Sequence, residues 1–144
     1  MSSGALVRQF GCVAIGGRGL LIDGPPGSGK SALALALIDR GATLVGDDGV
    51  TLIVGEDSRL WANPPPHTAG MLEIRNLGLA RFEPVRAPVS LLIRLDRAAP
   101  RLIEQAGEIT LSGCSIPALE LYPDMATLPL RAEQALRLFG LPAA

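Results

Sequence analysis

The chain has 144 residues, a formal net charge of −1 and 48% hydrophobic residues. This length is typical of one domain with a single core, and the hydrophobic share excludes a disordered chain. A nucleic-acid-binding protein is not expected, because such modules carry a clustered basic excess and here 13 basic residues stand among 14 acidic ones. We therefore expect a single domain over residues 1–144 whose partners are proteins or small molecules.

The ends and the rare residues of the chain narrow its class further. Residues 1–10 lack the apolar stretch of a signal peptide, and no run has the length needed to cross a bilayer, so we expect a cytoplasmic protein with no membrane partner. Cys12 and Cys114 lie far apart without C-x-x-C spacing, which favours buried reduced thiols over a zinc site. His67 is the only histidine, and its proline-flanked position predicts a solvent-exposed side chain.

The first third of the chain alternates short apolar runs with glycines. Residues 6–15 alternate loosely and residues 20–22 form an apolar run, which predicts two strands joined by a turn. Residues 31–40 are rich in leucine and alanine and precede Gly41, so a helix of about ten residues with a glycine cap is expected. Residues 42–45 are apolar again. This order predicts a compact parallel crossover unit of strand, loop, helix and strand.

The remainder of the chain predicts more strands and one closing helix. Residues 51–54 and 59–62 flank a turn-like segment, which favours a hairpin, and the prolines after Asn63 predict an extended loop. Further strands are predicted at residues 71–75, 89–95, 108–111 and 116–121. The apolar spacing of residues 130–139 is typical of an amphipathic helix. The expected fold class is α/β, with a mixed twisted sheet and helices packed against it.

The only lysine of the chain, Lys30, belongs to a phosphate-binding loop of the form G-x-x-x-x-G-K-S. The residues of this loop are Gly24, Pro25, Pro26, Gly27, Ser28, Gly29, Lys30 and Ser31. Glycines let the backbone curl with its N–H groups towards phosphate oxygens, at the positive end of the following helix. We expect Lys30 to reach the β and γ phosphates and the Ser31 hydroxyl to ligate magnesium. An ordinary glycine-rich turn is the alternative, but the apolar strand before the motif and the helix after it favour nucleotide binding.

Carboxylates follow the strand after the phosphate-loop helix. Asp47 and Asp48 lie at the carboxyl edge where open α/β sheets place their ligands, so one could hold magnesium or its water and the other could accept a proton from an attacking hydroxyl. A solvated turn is the alternative, because aspartate and glycine are common in turns. Glu73 and Arg75 share one face of the strand predicted at residues 71–75. This charged face could be functional, or it could simply be exposed to solvent.

Together these segments resemble the catalytic domain of HPr kinase/phosphorylase, the bacterial enzyme that phosphorylates a serine of the phosphocarrier protein HPr. Residues 24–31, 34–41 and 44–48 are similar to the family's phosphate loop, its L-x-L-I-x-R-G helix end and its L-V-A-D-D stretch. Residues 72–78 resemble its signature E-I-R-G-L-G. The resemblance, which covers residues 9–95, implies a P-loop-containing, phosphoenolpyruvate carboxykinase-like mixed sheet with flanking helices. It implies that the chain is a short, single-domain form of the family.

The resemblance also implies an activity and a role for each matching residue. The activity is an ATP- and Mg²⁺-dependent serine kinase of HPr, with phosphorylase activity in the reverse direction, that regulates the phosphotransferase system and assembles as a hexamer. The residues assigned to catalysis are Asp48, Lys30, Asp47 and Arg101. Those assigned to magnesium are Ser31, Glu73 and Asp47. Asp48 would accept the serine proton in phosphorylation and donate one in phosphorolysis, and Arg101 is the best match to a family arginine downstream of the signature.

Three positions depart from the family pattern. Gln9 stands where the family has a catalytic histidine, and a glutamine cannot take up a proton near neutral pH, so the step that this histidine assists should be weakened. Ala32 replaces the acidic residue that usually follows the serine. Asn76 replaces the first glycine of the signature, a position that demands a backbone conformation that asparagine tolerates and most residues do not. The segment linked to phosphorolysis is not recognisable near residues 116–123.

Two other interpretations stay open. In the first, the chain is a non-catalytic nucleotide sensor, in which the loop still binds ATP or ADP and the altered positions have ended catalysis. In the second, it is a P-loop small-molecule kinase. Such kinases usually carry a mobile lid with arginines, which Arg94, Arg97 and Arg101 could supply.

Overall fold

The computed structural model describes residues 6–144. In this range the strands are β1 Leu6–Arg8, β2 Gly11–Ile15, β3 Arg18–Asp23, β4 Thr43–Gly46, β5 Val50–Val54, β6 Leu60–Asn63, β7 Met71–Ile74, β8 Gly78–Arg81, β9 Ala87–Leu95, β10 Gly107–Leu111 and β11 Cys114–Leu121. The helices are α1 Lys30–Asp39 and α2 Leu128–Phe139. Both predicted helices are confirmed within two residues at each end. The expected α/β class is confirmed as well.

Nine of these strands form one mixed sheet. Its main path runs β1-β5-β6-β9-β3-β2-β4, and β11 and β10 extend it from β9. The nine-residue strand β9 joins the parts, because its first residues pair with β6 and its last four with β11, while β3 pairs along its other edge. The β3–β9 and β9–β11 pairs are parallel and the others are antiparallel. Strands β7 and β8 form a separate hairpin that packs near α1.

The two strands of the predicted crossover unit, β3 and β4, are parallel as expected, but they are not neighbours in the sheet. Strand β2 pairs antiparallel with both β3 and β4, so β3 and β4 run parallel with β2 between them. A single strand over residues 6–15 was wrong, because β1 pairs with β5 whereas β2 pairs with β3. Phe10, at the break between them, is buried in the core. Strand β8 was not predicted because its short, exposed Gly-Leu-Ala-Arg sequence has no apolar periodicity.

Apolar residues cover both faces of the sheet. Leu20 and Ile22 of β3 pack on one face with Leu33 of α1, whereas Leu21 packs on the other face with residues of β5 and β6. This division follows from the alternation of side chains along a strand. Both helices pack on the first face and contact each other, as expected for a phosphate-loop helix with a further helix beside it. Within residues 6–144, neither helix is long and apolar enough to cross a membrane.

The predictions for the rare residues agree with the structure in most respects. His67 is exposed, as expected. Cys12 is fully buried, and burial raises the pKa of its thiol far above the ordinary value. Cys114 is free as well but only partly buried, and it begins β11 beside the turn between β10 and β11. The two thiols are therefore free and in different surroundings.

Candidate nucleotide-binding site

The loop between β3 and α1 has the curled backbone that its glycines allow. Gly24, Gly27 and Gly29 have φ angles of 152°, 80° and 103°, in the range that glycine adopts readily. At Gly24 an added Cβ would also lie 2.6 Å from the Ser28 hydroxyl oxygen, so that neither the conformation nor the space allows a side chain. The Ser28 N–H donates to the Pro25 carbonyl at 3.1 Å and tightens the turn. The local sequence therefore dictates the shape of this loop.

Lys30 and Ser28 bring polar groups to the loop. Lys30 is the first residue of α1, and its Nζ donates to the Gly24 carbonyl across the loop at 2.9 Å. The Ser28 hydroxyl is buried and has no hydrogen-bond partner among residues 6–144. A buried hydroxyl normally has a partner, so this one retains the capacity to donate to an oxygen of a bound molecule. Together with the helix N-terminus, these groups suit an anion such as a phosphate.

Asp47 lies against the start of α1. Because β3 and β4 are parallel, the phosphate loop after β3 and the aspartates after β4 emerge at the same edge of the sheet. The Ser31 hydroxyl donates to Asp47 Oδ1 at 2.7 Å, and the Glu73 N–H donates to Asp47 Oδ2 at 3.4 Å. Burial raises the pKa of Asp47 above its ordinary value, and the hydrogen bond from Ser31 acts in the opposite direction. The structure thus brings Ser31, Asp47 and Glu73 together.

This oxygen-rich group suits magnesium. Mg²⁺ prefers oxygen ligands, and in phosphate-transfer sites one or two carboxylates share it with the phosphates of the substrate. Ser31 and Asp47 supply a hydroxyl and a carboxylate, and Glu73 is exposed beside them. In the described part of the chain, three or more His, Cys, Asp or Glu side chains are nowhere grouped closely enough to hold a metal ion by themselves. The residues present therefore fit a metal that the protein holds jointly with phosphate oxygens.

Two clefts meet at Lys30. The first, which we call the Asp48 cleft, has a volume of about 800 Å³ and is lined by Lys30, Asp48 and Gln9 among others. The second, the Glu73 cleft, has a volume of about 770 Å³ and is lined by Lys30, Ser31 and Glu73 among others. Asp48 has a φ of 57°, in the left-handed region that aspartate tolerates. As a result, Asp48 lines the Asp48 cleft together with Lys30, whereas its neighbour Asp47 contacts Ser31.

The positions that depart from the family pattern also lie at these clefts. Gln9 is exposed in the Asp48 cleft, and Ala32 and Asn76 line the Glu73 cleft. Asn76 has a φ of 73°, so the prediction of an unusual backbone at this position is confirmed. Arg101 lies in the exposed segment between β9 and β10, apart from the residues that line the two clefts. Its catalytic role stays a prediction.

The structure adds Asp23, which was not a predicted site residue. Asp23 ends β3 and lines the Asp48 cleft, and its Oδ1 accepts the Gly24 N–H at 2.8 Å. Its Oδ2 accepts from Arg94 Nε at 3.0 Å and forms an ion pair with Arg94 Nη2 at 2.9 Å. The position of Asp23, between an apolar run and a phosphate loop, was the only signal in the sequence. Its partner Arg94 is revealed only by the pairing of β3 with β9.

Comparison with known proteins agrees with this geometry. A family model for the HPr Serine kinase C-terminal domain matches residues 6–85, more than half of the chain. The HPr kinase/phosphorylase of Streptococcus equi subsp. zooepidemicus is 35% identical over 118 residues, and that of Streptococcus thermophilus is 36% identical over 122 residues. These alignments cover 73% and 76% of this chain but 38% and 40% of the relatives. The chain therefore spans about two fifths of the length of the curated relatives it matches.

A solved structure supports the same assignment. The Hpr(Ser) kinase/phosphatase from Coxiella burnetii superposes with a TM-score of 0.80 at 27% sequence identity, and the match covers 92% of this chain and 88% of that one. The residues matched by the family model include the phosphate loop, both aspartates and the β7–β8 hairpin. On this evidence the chain belongs to the HPr serine kinase C-terminal domain family.

Proposed function

We propose that this chain is an ATP- and Mg²⁺-dependent protein serine kinase whose acceptor is the phosphocarrier protein HPr. The proposal depends on one observation: Lys30, a phosphate-binding group, and the Asp48 carboxylate line the same cleft. The names of the relatives, HPr kinase/phosphorylase, support HPr as the acceptor. Control of the phosphotransferase system, a cytoplasmic location and a hexameric assembly are the further parts of this proposal that come from the resemblance.

The phosphate loop and Lys30 would bind the nucleotide. The N–H groups of Gly24 and Ser28 already donate within the protein, whereas those of Gly27, Gly29 and Lys30 have no acceptor in the described part of the chain and are available to phosphate oxygens. The Lys30 ammonium already lies across the loop at the Gly24 carbonyl. An ammonium in this place neutralises negative charge on the transferring phosphoryl group. Magnesium, held by Ser31 and Asp47 with Glu73 beside them, would supply further positive charge to the phosphates.

Asp48 would act as the general base. Its exposed side chain lines the Asp48 cleft, where a serine hydroxyl of a protein acceptor can approach from solvent. As the serine oxygen forms a bond to the γ-phosphorus, the bond between that phosphorus and the β-γ bridging oxygen breaks, and ADP leaves. The serine proton passes to the Asp48 carboxylate. In phosphorolysis, an oxygen of inorganic phosphate would form a bond to the phosphorus of phosphoserine as the bond from that phosphorus to the serine oxygen breaks, which gives pyrophosphate. Asp48 would return a proton to the serine oxygen.

One observation favours a second candidate function. Gln9 lines the Asp48 cleft at the position where the resemblance places a histidine, and its amide does not take up a proton near neutral pH. The residue that would assist Asp48 is therefore missing from the cleft lining. A chain that binds nucleotide and transfers no phosphate, the sensor of the sequence analysis, would fit the same geometry.

Transfer of label separates these functions. The purified chain is incubated with γ-labelled ATP, magnesium and HPr, and the proposal expects label on a serine of HPr. Asp48→Asn should lower the rate by about 10²- to 10⁴-fold, the usual contribution of a general base, and leave nucleotide affinity unchanged. Asp39→Asn, an exposed aspartate at the end of α1, is the matched control and should keep the wild-type rate. Folded protein that binds ATP and leaves HPr unlabelled would instead contradict the HPr kinase and favour the sensor.

A further inference from the structure

Asp23 and Arg94 form a charged pair at the base of the phosphate loop. They stand opposite each other in the parallel β3–β9 ladder, which places both side chains at the carboxyl edge of the sheet. Arg94 Nε donates to Oδ2 of Asp23 at 3.0 Å, and Arg94 Nη2 lies 2.9 Å from the same oxygen in an ion pair. The side chain of Arg94 is 48% exposed and that of Asp23 is 23% exposed, so solvent screens the pair only in part.

The other oxygen of Asp23 holds the first peptide of the loop. It accepts the Gly24 N–H at 2.8 Å, while the Gly24 carbonyl accepts from the Lys30 ammonium at 2.9 Å. Gly24 has a φ of 152°, so its peptide planes have few local constraints and depend on such contacts for their orientation. A chain of polar contacts therefore runs from Arg94 through Asp23 and Gly24 to Lys30.

The negative charge of Asp23 disfavours the binding of an anion at this site. It lines the same cleft as Lys30, and an unpaired carboxylate there would repel the phosphates of a nucleotide. The guanidinium of Arg94 offsets that charge from the opposite side of the carboxylate. The arrangement keeps the hydrogen bond from Gly24 and cancels the charge that comes with it.

We propose that Asp23 and Arg94 are positioning residues of the phosphate loop, Asp23 by orienting the Gly24 peptide and Arg94 by neutralising Asp23. The inference rests on the proposed function, because it takes the loop to be a nucleotide phosphate site. It assigns Arg94 to the loop and not to a mobile lid.

The test measures the affinity for ADP and for ATP with magnesium, by calorimetry, in four variants. Arg94→Met should weaken binding about three- to fivefold, as expected for one partly screened charge. Adding Asp23→Asn to Arg94→Met should restore affinity, because the asparagine oxygen still accepts the Gly24 N–H without a charge. Asp23→Asn alone should bind at least as well as the wild type. Asp23→Ala, which loses the hydrogen bond, should bind about fivefold more weakly.

Two further measurements separate positioning from simple packing. The loss in Arg94→Met should shrink as sodium chloride is raised from about 0.05 to about 0.5 M, because salt screens the Asp23 carboxylate that Arg94 no longer neutralises. Arg40→Met is the matched control, since Arg40 pairs with Glu133 at 2.9 Å, is 45% exposed and lies at the far end of α1. It should leave nucleotide affinity unchanged. Thermal melting of each variant verifies that it is folded.

Each outcome decides the proposal. A double variant as weak as Arg94→Met, an equal loss in Arg40→Met, or wild-type affinity in Asp23→Ala would overturn it and leave the proposed kinase function standing. The comparison of Asp23→Ala with Asp23→Asn is decisive even if Arg94→Met does not fold. A folded wild-type chain that binds neither nucleotide would overturn the proposed function, and this inference with it.

Discussion

The Ser31 hydroxyl donates a hydrogen bond of 2.7 Å to the Asp47 carboxylate, although 16 positions separate the two residues along the chain. Ser31 lies in the first turn of α1 and Asp47 follows β4, and the parallel directions of β3 and β4 bring them to one edge of the sheet. A hydroxyl and a carboxylate in direct contact are two oxygen ligands that one magnesium ion can share.

Asp47→Asn should weaken nucleotide binding only when magnesium is present. The asparagine oxygen can still accept the Ser31 hydrogen bond, so the change removes charge and preserves shape. We expect magnesium-dependent affinity for ATP to fall by about 10- to 100-fold, in line with losses at metal-site carboxylates. Calorimetry of ATP with and without magnesium measures it, and Asp39→Asn serves as the control. An equal loss without the metal would show that Asp47 acts in the fold and not on magnesium.

The turn of the β7–β8 hairpin should depend on the residue at position 76. Asn76 has a φ of 73°, where β-branched side chains are strained. Asn76→Val should therefore lower the free energy of unfolding by about 1–2 kcal/mol, whereas Asn76→Gly should equal or exceed the wild type. Urea unfolding measures both. Arg75→Val, at an exposed neighbour outside the positive-φ set, should cost little, and a comparable loss there would contradict the explanation.

The packing of α1 against the sheet should contribute more to the free energy of unfolding than exposed apolar side chains do. Leu33 is fully buried on α1, whereas Leu138 of α2 is 62% exposed. Leu33→Ala removes apolar contacts and leaves a cavity, which costs about 2–5 kcal/mol, but Leu138→Ala should cost less than about 0.5 kcal/mol. Denaturant unfolding compares the two. Equal effects would mean that α1 is not held by this face.

The single tryptophan should report the titration of Asp57. The Asp57 carboxylate accepts the Arg59 N–H at 3.0 Å and the Trp61 indole N–H at 3.2 Å. These hydrogen bonds, chiefly the one from Arg59, lower the pKa of Asp57 below its ordinary 3.8. Because the folded pKa is the lower one, the resulting stability is present above pH 3.8 and is lost as the pH falls through the folded pKa. Trp61 fluorescence should change in that acid range.

Asp57→Asn provides the control for this titration, since asparagine accepts the same hydrogen bonds and does not ionise. Its Trp61 emission should show no step in the window where the wild type changes. A wild-type midpoint above pH 3.8 would contradict the lowered pKa.

Much of the fold could be predicted because its signals are local. The helix α1 follows from a leucine- and alanine-rich run closed by Gly41, and Gly41 has the positive φ expected of a helix-terminating glycine. The apolar run of β9 is similarly clear, because this strand is buried along nearly all of its length. The hairpin of β5 and β6 was marked by its turn residues.

The errors have a common cause. Residues 6–15 form two strands because β1 and β2 find different partners, and β3 and β4 are separated because β2 inserts between them. Neither fact is written in the periodicity of the segments, since the period of a strand is the same whatever strand it pairs with. Strand β8 is held by its pairing with β7 and carries little apolar pattern of its own.

The site divides in the same way. The phosphate loop follows from the local sequence alone, because the positions of Gly24 and Gly29 dictate where the backbone can curl and where Lys30 and the helix N-terminus follow. The folded sheet was needed to show that Asp47 contacts Ser31 while Asp48 lines the Asp48 cleft with Lys30, and that Arg94 pairs with Asp23. These contacts depend on strand order and register, which are set by the packing of the whole sheet and not by any single segment.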